Sequence, residues 1–174
     1  MADDLTWRDG NADDFERFCT VALPDVYGYL LARCGDRTIA EDLTSETFMA
    51  AVSAYRREMV SEWAVGWLIV VARRRLVDHW RRQARDQRAR SFELDDLADE
   101  VDIWDRPVDV DRALAALAQL GPHHRAALTL RYLDGFPVAQ VACELGRGLH
   151  ATEALLQRAR RALRRAYQEA PTHA

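Results

Sequence analysis

The sequence predicts an all-α protein made of two small helical domains joined by a flexible acidic linker. Apolar residues recur at three- and four-residue spacing in several segments, whereas no segment shows convincing alternation with a period of two. The 174 residues, 49% of them apolar, are enough for one or two packed cores. Charge is divided into basic blocks on either side of an acidic one, and this division predicts where the linker lies.

The first domain is predicted over residues 12–90 and begins with two helical segments. Residues 15–34 form one or two helices with an interruption near Pro24, because proline removes a backbone donor. Thr38 is the expected N-cap of the next helix, which runs over residues 39–55.

A polar loop at residues 56–61 precedes the last helix of this domain. That helix is expected to start at Glu62 or Trp63 and to end near Arg85, and its sequence changes from apolar to almost purely basic after Leu76. The change indicates where the core ends and where a basic surface begins.

The linker is predicted at residues 91–110, where acidic residues dominate, no helical period is sustained and a proline follows. The second domain, over residues 111–168, is expected to contain a helix at 111–120, a break at Gly121-Pro122 and a helix at 123–133. A turn follows at residues 134–137.

The end of this domain has the pattern of a helix-turn-helix. A short helix with Val141 and Ala142 meets Gly146, which suits the positive φ of the turn, and a longer helix starts near Leu149 or His150. Either Leu155 or Leu156 is expected to close the core beneath the turn. The competing interpretation is an ordinary helical hairpin with a solvated basic face.

Two basic blocks favour nucleic acid as the partner. Residues 73–90 hold eight arginines against two aspartates, residues 147–165 hold six arginines against one glutamate, and residues 91–111 hold nine acidic residues against one arginine. In the helix-turn-helix, the second helix would lie in the major groove of DNA. Its base-reading edge is predicted to hold Arg147, His150, Glu153 and Gln157, and the phosphate contacts to come from Arg158, Arg160, Arg161 and Arg164.

Aromatic residues interleave with the other basic block. Trp63, Trp67 and Trp80 lie among arginines, a combination that suits single-stranded DNA because unpaired bases stack on aromatic rings. Since Trp63 and Trp67 are four residues apart, they also fit one face of a packed core, and at least one of them is expected there.

Three stretches resemble the extracytoplasmic-function (ECF) group of the sigma-70 family. AEDLTSETFMAA at residues 40–51 resembles the helix that grips the clamp helices of the largest subunit of bacterial RNA polymerase, and WAVGWLIVVARRRLVDHWRR at 63–82 resembles the promoter-melting helix. LGPHHRAALTLRYLDGFPVAQVACELG at 120–146, followed by QRARRALRR at 157–165, resembles the domain that reads the minus-35 element.

The resemblance implies a division of labour between the domains. Core-polymerase binding falls to Asp42, Leu43, Glu46 and Thr47. The resemblance assigns recognition and melting of the minus-10 element to a larger set of aromatic and basic residues. These are Tyr55, Arg56, Arg57, Trp63, Trp67, Arg73, Arg74, Arg75, Arg81 and Arg82. The family also leads us to expect an anti-sigma factor that holds the protein inactive.

One departure from the family concerns the recognition helix. Where relatives often carry a valine, a basic residue and another arginine, this chain has Thr152, Glu153 and Leu155. Glu153 is hypothesised to accept a hydrogen bond from cytosine N4. Alternatively, it lowers nonspecific attraction to phosphate.

Other classes of protein are less well supported. No secretory signal or apolar run long enough for a bilayer is seen, so a cytoplasmic protein without membrane insertion is expected. The scattered cysteines and histidines suggest neither metal site, cofactor nor enzyme. Two alternatives stay open: a helix-turn-helix regulator that acts without polymerase, and a sigma mimic that sequesters an anti-sigma factor.

Overall fold

A computed structural model describes residues 6–8, 12–57, 62–88 and 109–169 of the chain. Its elements in this part of the chain are almost all helical, as predicted. The chain divides by its internal contacts into two compact units, Met1–Asp78 and His79–Ala174. The helices are α1 (Ala12–Cys34), α2 (Arg37–Arg56), α3 (Val65–Arg88), α4 (Val110–Gln119), α5 (Pro122–Leu128), α6 (Val138–Leu145) and α7 (Leu149–Glu169).

Helix α1 runs without interruption through Pro24, contrary to the break expected there. The side chains that it buries recur every four residues on both sides of the proline, from Phe18 through Ala22 and Val26 to Leu30, as α1 packs against α2. Pro24 itself is exposed, so water can satisfy the carbonyl that loses its intrahelical partner. Packing on α2 therefore outweighs the local cost of the proline.

Helix α2 is capped by Asp36 rather than by Thr38. The Asp36 backbone is extended, and its carboxylate accepts a 3.1 Å hydrogen bond from the backbone N–H of Ile39. Aspartate at this position satisfies one of the amide donors that a helix start leaves without a partner. The prediction of Thr38 as the cap was wrong by two residues.

A two-stranded antiparallel ribbon precedes α3. Strand β1 (Thr6–Arg8) pairs with β2 (Glu62–Ala64), and the register sets Trp7 opposite Trp63. Helix α3 therefore begins at Val65, a few residues later than expected, because residues 62–64 are extended.

In the second unit, α4, α5 and α6 pack against the long helix α7. A five-residue π-helical turn, Thr129–Leu133, extends α5 to the turn that carries Gly135, whose φ is +73°. Asp109 caps α4, and the ring of Tyr167, near the end of α7, lies under the guanidinium of Arg112 at 4.5 Å. These contacts tie the start of α4 to the end of α7.

The predicted acidic linker lies outside the described residues except at its end, Asp109 and Val110. None of the helices described is both long and apolar enough to cross a membrane.

Candidate nucleic-acid interface

Helices α6 and α7 form the helix-turn-helix that the sequence predicts. Gly146 ends α6 in the left-handed conformation, with φ +61° and ψ +41°. The N–H of Arg147 then donates to the carbonyl of Ala142 over 2.9 Å, which satisfies a carbonyl at the end of the helix. Val141 and the small Ala142 are buried, so α6 approaches its neighbours closely.

Helix α7 has one buried face. Thr152, Leu155, Leu156 and Ala159 are buried, and both leucines contribute to the core beneath the turn where only one was expected. The Thr152 hydroxyl donates to the carbonyl of Gly148 over 3.0 Å, so this polar group is satisfied inside the core. The helix is thereby fixed in rotation about its own axis.

The opposite face of α7 carries the predicted DNA-contacting side chains at spacings of three and four residues. Such spacing places them on a single stripe of the helix. The stripe starts at the N-terminal end with polar residues and continues with arginines, and all of its members are exposed or half-buried. They are His150, Glu153, Gln157, Arg160, Arg161 and Arg164.

Two further predicted residues lie beside the stripe. Arg158 is half-buried on its flank. Arg147, in the turn, lies with a guanidinium nitrogen 3.4 Å from Nδ1 of His123 at the start of α5. This contact fixes Arg147 relative to a second helix.

His150 and Glu153 form a pair at the N-terminal end of the stripe. Nδ1 of His150 lies 3.3 Å from Oε2 of Glu153. The side chain of His150 is 99% exposed and that of Glu153 is 50% exposed. The pair is thus presented to solvent on the face of α7 that lies opposite its core.

In the first unit, an aromatic cluster surrounds Trp63. The ring of Phe15 stacks on Tyr55 with centroids 4.3 Å apart, and Trp63 lies 4.9 Å from Phe15 and 5.1 Å from Trp67. Trp63 is only 1% exposed, so it is a core residue, as expected for at least one of Trp63 and Trp67. Its ring belongs to the core, whereas Tyr55 and Trp67 are half-buried at the edge of the cluster.

Helix α3 buries Leu68, Ala72, Leu76 and Trp80 on one side. The predicted arginines lie on its other sides. Arg74 and Arg82 are exposed, and Arg73, Arg75 and Arg81 are half-buried. Arg81, in the second unit, donates a hydrogen bond to the backbone carbonyl of Glu144.

Comparison with known families identifies both parts of the chain. Residues 20–86 match the family description Sigma-70 region 2, and residues 111–163 match Sigma-70, region 4. The chain belongs to the sigma-70 family. Both matches leave out residues 87–110, most of which the structure does not describe.

Curated relatives place the chain in the ECF group of this family. It is 33% identical over 150 residues to ECF RNA polymerase sigma factor SigL of Mycobacterium tuberculosis, with 83% of each chain covered. It is 32% identical to ECF RNA polymerase sigma factor BldN of Streptomyces coelicolor over 162 residues, which are 90% of this chain and 61% of that relative. The chain thus spans less than two thirds of the length of BldN.

A solved structure shares the fold. The sigma factor RpoE of Bartonella quintana, crystallised with the anti-sigma factor NepR, superposes with a TM-score of 0.51. The likeness covers 90% of this chain and 98% of that one at 20% identity.

In this sigma-70 family member, α2 divides the residues predicted to bind polymerase. Leu43 and Thr47 are buried, and the Thr47 hydroxyl donates to the carbonyl of Leu43 over 2.7 Å, so both side chains lie in the core of the first unit. Asp42 is exposed and Glu46 is half-buried on another face.

Met49, which the sequence analysis did not single out, is 72% exposed on α2. It lies seven residues after Asp42 and three after Glu46, so the three side chains share a stripe. Ser45, Phe48, Val52 and Arg56 line a shallow groove with it. The helical spacing of Met49 from Asp42 was the signal that could have identified it.

The described residues hold no group of His, Cys, Asp and Glu side chains suited to a metal ion.

Proposed function

We propose that this protein is an alternative sigma factor that binds core RNA polymerase and directs initiation at specific promoters. The proposal rests chiefly on helix α7, which follows a left-handed turn. One face of α7 is buried in the core, and the opposite face carries a stripe that is polar at its N-terminal end and basic farther along. Membership of the ECF group supports it. Within this proposal, residues 12–90 are the polymerase-binding and minus-10 domain, 91–110 the linker and 111–168 the minus-35 domain.

Helix α7 would read duplex DNA at the minus-35 element. In helix-turn-helix proteins, the N-terminal residues of the second helix contact base edges in the major groove. This end of α7 carries His150, Glu153 and Gln157, with Arg147 in the preceding turn. The arginines farther along are suited to phosphates, which fix the register of the protein on DNA without reading sequence. Those residues are Arg158, Arg160, Arg161 and Arg164.

Helix α3 and the segment before it would open the minus-10 element. Tyr55 and Trp67 offer partly exposed rings for unpaired bases, and Arg56 and Arg57 add positive charge beside them. The α3 arginines at 73–75, 81 and 82 would hold the separated strands. Opening then needs no catalytic residue, because binding extruded bases more tightly than paired ones shifts the equilibrium by itself.

Polymerase and an anti-sigma factor are the proposed protein partners. The stripe formed by the exposed Asp42 and Met49 and the half-buried Glu46 on α2 is the surface that we assign to the clamp helices of the largest polymerase subunit. The protein would act in the cytoplasm and be held inactive by an anti-sigma factor, as its resemblance to the ECF group implies. It would use no cofactor and perform no catalysis of its own.

Run-off transcription tests the proposal. Purified core polymerase is mixed with the protein and genomic fragments of the source organism, and the 5′ ends of dependent transcripts are mapped. We expect dependent transcripts that share two upstream motifs. If the protein neither binds core polymerase nor supports such transcripts, the sigma function is refuted and a regulator that acts without polymerase takes its place. Binding without transcripts would instead favour the sigma mimic.

A triple variant separates the polymerase-binding role proposed for α2 from the promoter-opening role proposed for α3. Replacing Arg73, Arg74 and Arg75 by glutamine should impair formation of the open complex, followed by permanganate reactivity of unpaired thymines, more than it impairs binding to core polymerase. Arg37→Gln removes an equal charge per residue from an exposed site on α2 and serves as the control. Equal loss of polymerase binding and opening in the triple variant would contradict the assignment of α3.

A further inference from the structure

The edge of α7 that faces DNA in the proposed function begins with an acid–imidazole pair. His150 and Glu153 lie one turn apart on the exposed stripe, with Nδ1 and Oε2 separated by 3.3 Å. Carboxylates are normally repelled by DNA phosphates, so a glutamate at this position calls for a physical explanation.

We propose that Glu153 reads a cytosine in the minus-35 element and that His150 is the positioning residue that orients its carboxylate. The inference rests on the proposed function and deepens it, because it names one base that the promoter must contain and the side chain that selects it.

The chemistry of the base edges supports cytosine. An ionised carboxylate only accepts hydrogen bonds. In the major groove, cytosine presents the N4 amino donor, guanine presents two acceptors, and thymine presents an acceptor beside a methyl group. Adenine presents a donor together with the N7 acceptor, which faces a carboxylate unfavourably. Cytosine is therefore the base that Glu153 can bind without an opposing acceptor.

The geometry gives His150 its role. The contact to His150 uses Oε2 of Glu153, which leaves Oε1 to accept a hydrogen bond from a base. Holding the carboxylate in one orientation before binding removes part of the conformational entropy that a long side chain loses on contact. The imidazole can also donate a hydrogen bond to this carboxylate and so reduce repulsion between Glu153 and nearby phosphates.

The backbone beneath the pair is well fixed. Thr152, Leu155 and Leu156 are buried on the opposite face of the same two turns. The Thr152 hydroxyl is bonded to the carbonyl of Gly148, which immediately precedes α7. Glu153 thus projects from a rigid helix, as a residue that selects one base requires.

A competing explanation is purely electrostatic: Glu153 would weaken attraction to phosphate at every sequence alike. The two explanations differ in their consequences. A base-reading glutamate changes the preference for one position of the minus-35 element, whereas an electrostatic one changes the affinity for all promoters together.

The test uses the complete holoenzyme and a promoter library in which the minus-35 positions are randomised. Wild-type protein should favour cytosine at one position, on either strand, by about tenfold over the other bases. Glu153→Gln should move that preference to adenine, because a glutamine amide pairs with N6 and N7 of adenine. Glu169→Gln, which removes the same charge from the exposed end of α7, should leave the preference unchanged.

Variants of His150 test the positioning role. His150→Ala should keep cytosine as the preferred base but reduce the discrimination to about threefold, which is less than a well-oriented base contact provides. His150→Asn should restore the wild-type discrimination for cytosine, because the asparagine amide can donate a hydrogen bond to Glu153 from nearly the same place as Nδ1 of His150. Full discrimination in His150→Ala would refute the positioning role.

The outcomes separate this inference from the function on which it rests. If the holoenzyme transcribes specifically but Glu153→Gln keeps the wild-type preference, base reading by Glu153 is refuted and the sigma function stands. If wild-type protein supports no specific transcription from any member of the library, the sigma function fails, and the inference fails with it.

Discussion

Replacing Arg160 and Arg164 by glutamine should reduce the salt dependence of promoter binding in a calculable way. Both residues lie on the outward stripe of α7, beyond the base-reading end, at a spacing of four residues. Each phosphate contact releases counterions and contributes about 0.9 to the slope of log K against log salt. The double variant should therefore show a slope that is smaller by about 1.8.

This change in slope corresponds to a measurable difference in affinity. Between about 50 and 200 mM salt, a slope difference of about 1.8 makes the affinity of wild-type protein fall about twelvefold more than that of the variant. The assay is fluorescence anisotropy of a labelled promoter duplex titrated with holoenzyme across this range. Glutamine keeps polarity and most of the side-chain length, and the face of α7 that packs on the domain is unchanged.

The matched control replaces Arg17 and Arg37 by glutamine, because both residues are exposed on helices of the first unit and the same two charges are removed. The phosphate-contact reasoning would be refuted by a double variant whose slope equals that of wild type. A control with an equally reduced slope would attribute the effect to net charge instead of to contacts made by α7.

The remaining predictions concern the folded state. Trp63→Ala should lower the free energy of unfolding of the first unit by about 3 to 5 kcal/mol in urea denaturation, because it empties the centre of the aromatic cluster; a loss below about 1 kcal/mol would contradict its core role. Asp36→Ala should cost about 1 kcal/mol, and Thr38→Ala, at the position expected from sequence to be the cap, much less; equal losses in the two variants would contradict capping by Asp36. Burial raises the pKa of the Cys19 thiol, so near pH 8 a smaller fraction of Cys19 is thiolate than for an ordinary cysteine. Cys19 should therefore react with iodoacetamide more slowly than the exposed Cys143, as followed by mass-spectrometric mapping. The rate for Cys19 should keep rising as pH increases further, and faster labelling of Cys19 at pH 8 would contradict this reasoning.

Sequence patterns predicted the parts of the fold that depend on helical periodicity. The helix-turn-helix was recognisable because Val141, Ala142 and Gly146 combine an apolar face with a residue that tolerates positive φ. The stripe on α7 was also predictable, because a long helix with a clear apolar face places its polar residues on the other side.

Features that depend on tertiary contacts were not predictable in the same way. Pro24 interrupts a helix only when packing does not hold the two halves together, and packing is not visible in the local sequence. The ribbon of β1 and β2 has three residues a strand, too few to show a period of two.

The candidate site shows a similar limit. Resemblance to a family identifies a helix but not which of its faces is buried, and the burial of Leu43 and Thr47 could not be read from it. The sequence likewise left Trp63 open between base stacking and the core. Tryptophan suits both base stacking and core packing, and only its neighbours, Phe15 and Trp67, decide between the two.

The aromatic cluster has a consequence for engineering promoter choice. Tyr55 at the end of α2 and Trp63 in β2 have ring centroids 6.4 Å apart, and both contact Phe15. The residues on either side of the intervening sequence are therefore held close together by their packing on Phe15. Under the proposed function, replacing residues 58–61 by the corresponding segment of a relative should change the minus-10 preference of the holoenzyme and leave the free energy of unfolding of the first unit unchanged, because α2 ends at Arg56 and β2 begins at Glu62.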